Sequence, residues 1–180
     1  MIERFIEGQI CAKRFVDERG AALVELAFCV PMLLILVFGL IDFSQIIFDY
    51  QVMTGLSRQG CNLASRGTNL VDTASALVSQ GASLNIGTKG RIIVTAVADD
   101  DKGVARIVDQ AESTTGISVT SQVGSGNDNE ASMPAGADTV LNAGQTLYVV
   151  EIFCTYKPMT PIGALLKTSL NSRLYDVAYF

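Results

Sequence analysis

Residues 21 to 41 read AALVELAFCVPMLLILVFGLI, and no other stretch restricts the chain so tightly. As a helix rising ~1.5 Å per residue the run is about 30 Å long, the thickness of a bilayer's hydrocarbon core. One carboxylate, Glu25, stands inside it. A charge in that zone costs roughly 2.5–3.5 kcal/mol on insertion scales, so an intramembrane carboxylate implies a function and a partner. The 49% hydrophobic content of these 180 residues is high for a soluble domain, and the excess lies in residues 21 to 56.

Lys13, Arg14 and Arg19 precede the run; Asp42 and Asp49 follow it, with no basic residue until Arg58. The positive-inside bias keeps the N-terminus in the cytoplasm and sends the C-terminal part across. A secretory signal peptide has an apolar core of roughly 7–15 residues ending in a small-x-small cleavage site. This run is longer, has no A-x-A boundary, and continues into a helical pattern, so the segment reads as retained. Phe43, Ile46, Ile47, Tyr50, Met53 and Leu56 keep the i, i+3, i+4, i+7 rhythm, with Asp42, Gln45, Asp49, Arg58 and Gln59 opposite. The pattern stops around SRGTN, which predicts a helix of roughly 45 residues from Ala21, about 68 Å long.

Beyond it, residues 67 to 180 suffice for a modest core. LVDTASALVSQGAS reads as a short helix ending near Gly81. RIIVTAVADDDKGVARIVDQ reads as a hairpin turning at DDDKG, and GISVTSQV as a further strand. GSGNDNEASMPAGAD is a loop. TLYVVEIFCTY is the strongest strand, bounded by Pro158 and Pro161, and RLYDVAYF closes the series as an edge strand. The expected class is α+β: a long N-terminal helix, membrane-spanning in its first half and amphipathic in its second, packed on a small antiparallel-sheet head. The divisions are a cytoplasmic leader (1–20), the long helix (21–66, transmembrane over 21–41) and an exported head (67–180).

Composition removes several functions. The net charge of −5 and the lack of a basic cluster argue against nucleic acid. With no histidine, Ser-His and Cys-His catalysis is excluded, and no G-x-S-x-G, S-x-x-K or Walker pattern occurs. No catalytic residue and no cofactor is expected. The four cysteines lack metal-site spacing. Asp99, Asp100 and Asp101 with Asn127, Asp128 and Glu130 offer oxygen ligands for calcium, but fit no EF-hand, and solvated turns explain them equally. Cys61 and Cys154 fall on the exported side, where they either pair or stay as buried thiols. They would meet if the strand of Cys154 ran under the helix at Cys61, closing a loop of roughly 90 residues.

RG-AALV-E, a glycine followed after four residues by glutamate, sits between a charged leader and a full-length apolar helix. It resembles the processing site of type IV prepilins and pseudopilins, which a membrane aspartyl peptidase cuts after the glycine. On that resemblance Gly20 and Ala21 flank the cut, and Glu25 is the fifth mature residue. The longer stretch from Arg19 to Gly67 is similar to the start of TadE-like proteins, minor pseudopilins of the tight-adherence (Flp, type IVb) pilus system. Pro31 matches the proline of their membrane helix, and Phe38 to Phe43 their apolar-Gly-apolar-apolar-acid-aromatic step. LYVVEIFCTYKPMTP is similar to their C-terminal aromatic strand with its proline pair. Flp pilins usually have tyrosine after the motif glutamate and are much shorter; this chain has Leu26, so a minor, assembly-initiating subunit fits better.

The resemblance implies a non-enzymatic subunit of the pilus. Its partners would be a prepilin peptidase, other pilins and pseudopilins, and the inner-membrane assembly platform. It would lie in the bacterial inner membrane as a single-pass protein with an extracytoplasmic head, and then enter the pilus. Cleavage would leave an ammonium on Ala21 about one helical turn from Glu25. In a packed bundle, where an unpaired carboxylate is costly, Glu25 would pair with a neighbouring subunit's amine and set the register. The alternative is an unprocessed single-pass membrane protein whose exported domain binds an envelope partner.

Overall fold

The computed structural model describes residues 3–100, 103–137, 141, 144–161, 163 and 173–180, with side chains from Gly20 onward. Helix α1 spans Glu3–Ser65 and passes Pro31 without a break. Its end matches the expected one. Its start does not, because the leader residues from Glu3 to Gly20 are helical as well and continue into the apolar run. No proline interrupts that leader, and Glu, Arg, Lys, Gln and Ala favour the helix.

The head follows the expected order. Helix α2 (Leu70–Gln80) starts at Asn69, whose side chain accepts the Val71 amide at 2.9 Å, and ends at Gly81. A 3-10 turn (Gly81–Leu84) and the short α3 (Ile86–Lys89), which the pattern did not signal, lead into β1 (Gly90–Asp99). Strands β2 (Ala105–Glu112), β3 (Thr146–Thr155) and β4 (Arg173–Tyr179) complete one antiparallel sheet in the order β2-β1-β3-β4. The hairpin, the central strand and the edge strand stand where the alternation put them.

Period-two alternation divides the sheet into two faces. Ile92, Val94, Val150, Ile152 and Cys154 face the helices and pack with Met53, Leu56, Cys61, Ala64 and Leu77. Val97, Ile107, Leu147 and Val149 line the other face with Val123, Ala131 and Ala137. A Cβ on Gly60 would press on Leu77 Cδ1 at 2.5 Å and Val150 Cγ2 at 3.2 Å, so the bare glycine lets α1 lie close to α2 and β3.

Two expectations give way. GISVTSQV is no strand. Its backbone pairs only at its ends, through the Ile117 amide to Gly90 O at 3.0 Å and the Ser132 amide to Val123 O at 2.8 Å, while Ser121 and the Gln122 amide bond to the Glu151 carboxylate instead of to a strand edge. The polar and apolar faces of α1 beyond the membrane are also rotated. Asp42 is buried, while Phe43, Ile47 and Tyr50 are exposed. The head covers the face running through Asp42, Met53, Leu56, Ser57, Gly60, Cys61 and Ala64. Small and hydroxyl side chains allow close approach there, and a satisfied carboxylate is held among them.

Candidate functional site

At the start of the apolar run, Gly20, Ala21 and Glu25 lie exposed on one continuous helix. A Cβ on Gly20 would meet nothing within 4 Å. Glu25 stands among exposed Leu23, Val24 and Leu26, with no hydrogen-bond or ion-pair partner among the described residues. In the uncut helix the Ala21 nitrogen is a peptide amide and cannot neutralise a carboxylate. The ammonium exists only once the bond after Gly20 is broken.

The other end of the run carries a structured site. Asp42, the first residue past Ile41, is only 8% exposed. Its Oδ1 accepts the backbone amides of Met159 (3.1 Å) and Thr160 (3.2 Å), and its Oδ2 accepts the Thr160 hydroxyl at 2.5 Å. The Tyr156 hydroxyl donates to the Asp42 carbonyl at 3.1 Å. Thr160 Oγ1 in turn accepts the Gly163 amide at 3.1 Å. Gly163 has to be glycine here, because a Cβ would overlap Asp42 Oδ2 and Pro158 Cβ. A hydrogen bond to a charged group contributes about 1.5–3 kcal/mol, so several on one carboxylate offset its desolvation. Burial pushes the Asp42 carboxyl up. Thr160, the Met159 amide and Tyr156 outweigh that and hold it below its ordinary value.

Two further buried carboxylates repeat the device. Asp176 on β4 accepts Thr54 Oγ1 at 3.1 Å and Ser57 Oγ at 2.5 Å, tying the edge strand to α1. Glu151 on β3, fully buried, accepts the Ser121 hydroxyl, the Gln122 amide at 2.8 Å and the Tyr175 hydroxyl at 3.0 Å. Burial, and then the charge of Glu151, push the Tyr175 phenol up. The partners of all three are hydroxyls and amides, which can be desolvated far more cheaply than a lysine or arginine.

The cysteines do not meet. Cys61 and Cys154 are both buried free thiols. Cys61 lies against the Val150 backbone, while Cys154 Sγ approaches Leu84 O at 3.9 Å. Val150 and Cys154 are four positions apart on β3, about 13 Å along the strand. A disulfide needs Cα atoms about 5.5–6 Å apart. The helix does cross the strand, as the pairing idea required, but at the level of Val150. Burial pushes the Cys61 thiol up to about 12 and raises Cys154 too.

The acidic turns serve the fold. Asp99 Oδ1 accepts the Gly103 amide at 2.9 Å and Asp100 Oδ1 the Val104 amide at 3.2 Å. Arg106 bridges the two acidic stretches, bonding Asp100 Oδ2 at 2.9 Å and Asp128 O at 2.7 Å. A guanidinium thus occupies the place between them that a cation would take. Asp101 lies outside the described residues, among which no cluster of three metal-ligating side chains occurs.

An apolar, head-free helix of membrane length, followed by an α+β head fastened where the run ends, is compatible with a single-pass membrane protein anchored near its N-terminus. The model of the TadE-like protein family matches residues 20–61. That stretch is less than half of the chain, and over it the sequence is similar to TadE-like proteins. The match opens at the glycine of RG-AALV-E and closes at Cys61 in the head's core. Comparison with curated proteins and with solved structures gives no match.

Proposed function

We propose that the chain is a minor pseudopilin, a structural and assembly subunit of a type IVb (Flp/Tad) pilus, cut by a prepilin peptidase after Gly20. The observation that carries this reading is the exposed helix itself. The TadE-like match begins at Gly20, and from there to Ile41 no residue is buried in the chain's own fold. A surface so apolar is covered by lipid before assembly and by neighbouring helices after it.

Glu25 gives the assembly its register. The new ammonium on Ala21 of one subunit meets Glu25 of the next when water is excluded, and only one axial offset satisfies both. The other partners are the pilins of the filament and the inner-membrane platform that lifts the subunit from the bilayer.

Glu25→Gln separates this role from insertion. The substitution removes a costly charge, so insertion is kept or slightly improved. Copurification with the other pilus subunits and the number of pili per cell both fall. Normal piliation and normal copurification of Glu25→Gln contradict the pairing.

A further inference from the structure

The Asp42 clasp has a neighbour that the fold leaves bare. Asp42 is the first residue after the apolar run, and the Met159 amide lies 3.1 Å from its carboxylate. The Lys157–Pro161 turn is therefore held at the level where α1 leaves the bilayer. The Met159 and Thr160 amides are bonded to Asp42 and Thr160 is buried, but the Met159 side chain is 73% exposed and Lys157 is exposed too. Phe38, about one helical turn nearer the membrane on the face of Asp42, is half-buried, whereas every other residue from Gly20 to Ile41 is exposed.

We propose that the Lys157–Pro161 turn is a membrane-contact element. Met159 enters the interfacial layer of the leaflet facing the head, and Lys157 lies among the lipid phosphates. The occupant follows from continuity with the span: lipid that surrounds Leu40 and Ile41 extends to whatever is fastened beside Asp42. An unbranched apolar side chain next to a long-stemmed cation suits that boundary, because the stem can lie along acyl chains while the ammonium stays wet. The clasp fixes the turn on α1, so the head rests on the bilayer at a defined point and does not swing on the helix.

The inference rests on the membrane-spanning reading of residues 21–41, and one experiment separates the two. The chain contains no tryptophan, so a single substitution supplies the only such reporter. Met159→Trp, Leu33→Trp and Val71→Trp variants of the full chain are reconstituted in vesicles of phosphatidylethanolamine and phosphatidylglycerol. The vesicles also contain phosphatidylcholine brominated at shallow or deep acyl positions. Leu33→Trp, within the run, loses most of its emission to deep bromines. Met159→Trp is blue-shifted and loses most of its emission to shallow bromines. Val71→Trp, exposed at the start of α2 beyond the far end of α1, keeps its emission and is quenched by aqueous iodide. If Leu33→Trp is quenched while Met159→Trp behaves like Val71→Trp, the contact is overturned and the span stands. If Leu33→Trp also escapes the bromines, both are overturned.

Discussion

Asp42→Ala would take the acceptor from two backbone amides and a hydroxyl at once. A buried donor left without a partner costs about 1–3 kcal/mol, so the variant loses the clasp first. Protease cleavage and amide exchange at residues 156–161 rise, and the thermal midpoint of the head falls. Asp42→Asn keeps Oδ1 for the amides and loses less. Acid acts in the same direction as the mutation. The folded carboxyl lies below its ordinary value, so its stabilising effect is fully present above about pH 4, the usual aspartate range. It fades as pH falls through the lower folded value. Amide exchange at Met159 and Thr160, followed from neutral pH downward and corrected for intrinsic rates, checks this. Protection that persists in Asp42→Ala contradicts the clasp. The sequence showed Asp42 as the acid of a six-residue step beside an apolar run, and the amphipathic pattern assigned it to solvent. Its partners lie 114 to 118 residues downstream, a separation that no local pattern reaches.

At the scale of elements, local signals were legible wherever one periodicity dominated. The apolar run, α2, the β1–β2 hairpin and the central β3 all carried their own pattern. GISVTSQV misled because alternation alone does not supply a strand edge; the side chain of Glu151 takes the Ser121 hydroxyl and the Gln122 amide instead. The second half of α1 misled differently. The head selects the face lined by Ser57, Gly60, Cys61 and Ala64, where backbones can approach, and leaves Phe43, Ile47 and Tyr50 outside. The crossing level of α1 over β3 also decides the cysteines. In the native protein Cys61 and Cys154 resist thiol reagents, since both are buried and their pKa values are raised. Denaturation without reductant exposes both to labelling, located by peptide mapping. Failure of that pair to label under those conditions would show a bridge and a different register of helix on strand.

Across the whole molecule the three buried carboxylates divide the mechanical work. Asp42 fastens the head at the end of the apolar run. Asp176 fastens β4 to Thr54 and Ser57, about 20 Å further along α1. Glu151 holds the irregular 121–122 segment onto the outer face of the sheet. On the proposed reading, a subunit drawn out of a bilayer by its neighbours would feel force along α1, and these ties would pass that force into the head instead of letting it peel away. The helix before Asp42 stays bare for partners. On the proposed pseudopilin reading, those partners meet it only if the leader is removed and the ammonium of Ala21 is made. Coexpression with a cognate prepilin peptidase, followed by intact mass and N-terminal sequencing of the membrane-extracted protein, tests that requirement directly. The account predicts loss of residues 1 to 20, Ala21 at the new N-terminus, and no cut when Gly20 is replaced by a bulkier residue. A chain that keeps its leader beside an active peptidase contradicts the pseudopilin reading and leaves an unprocessed single-pass membrane protein.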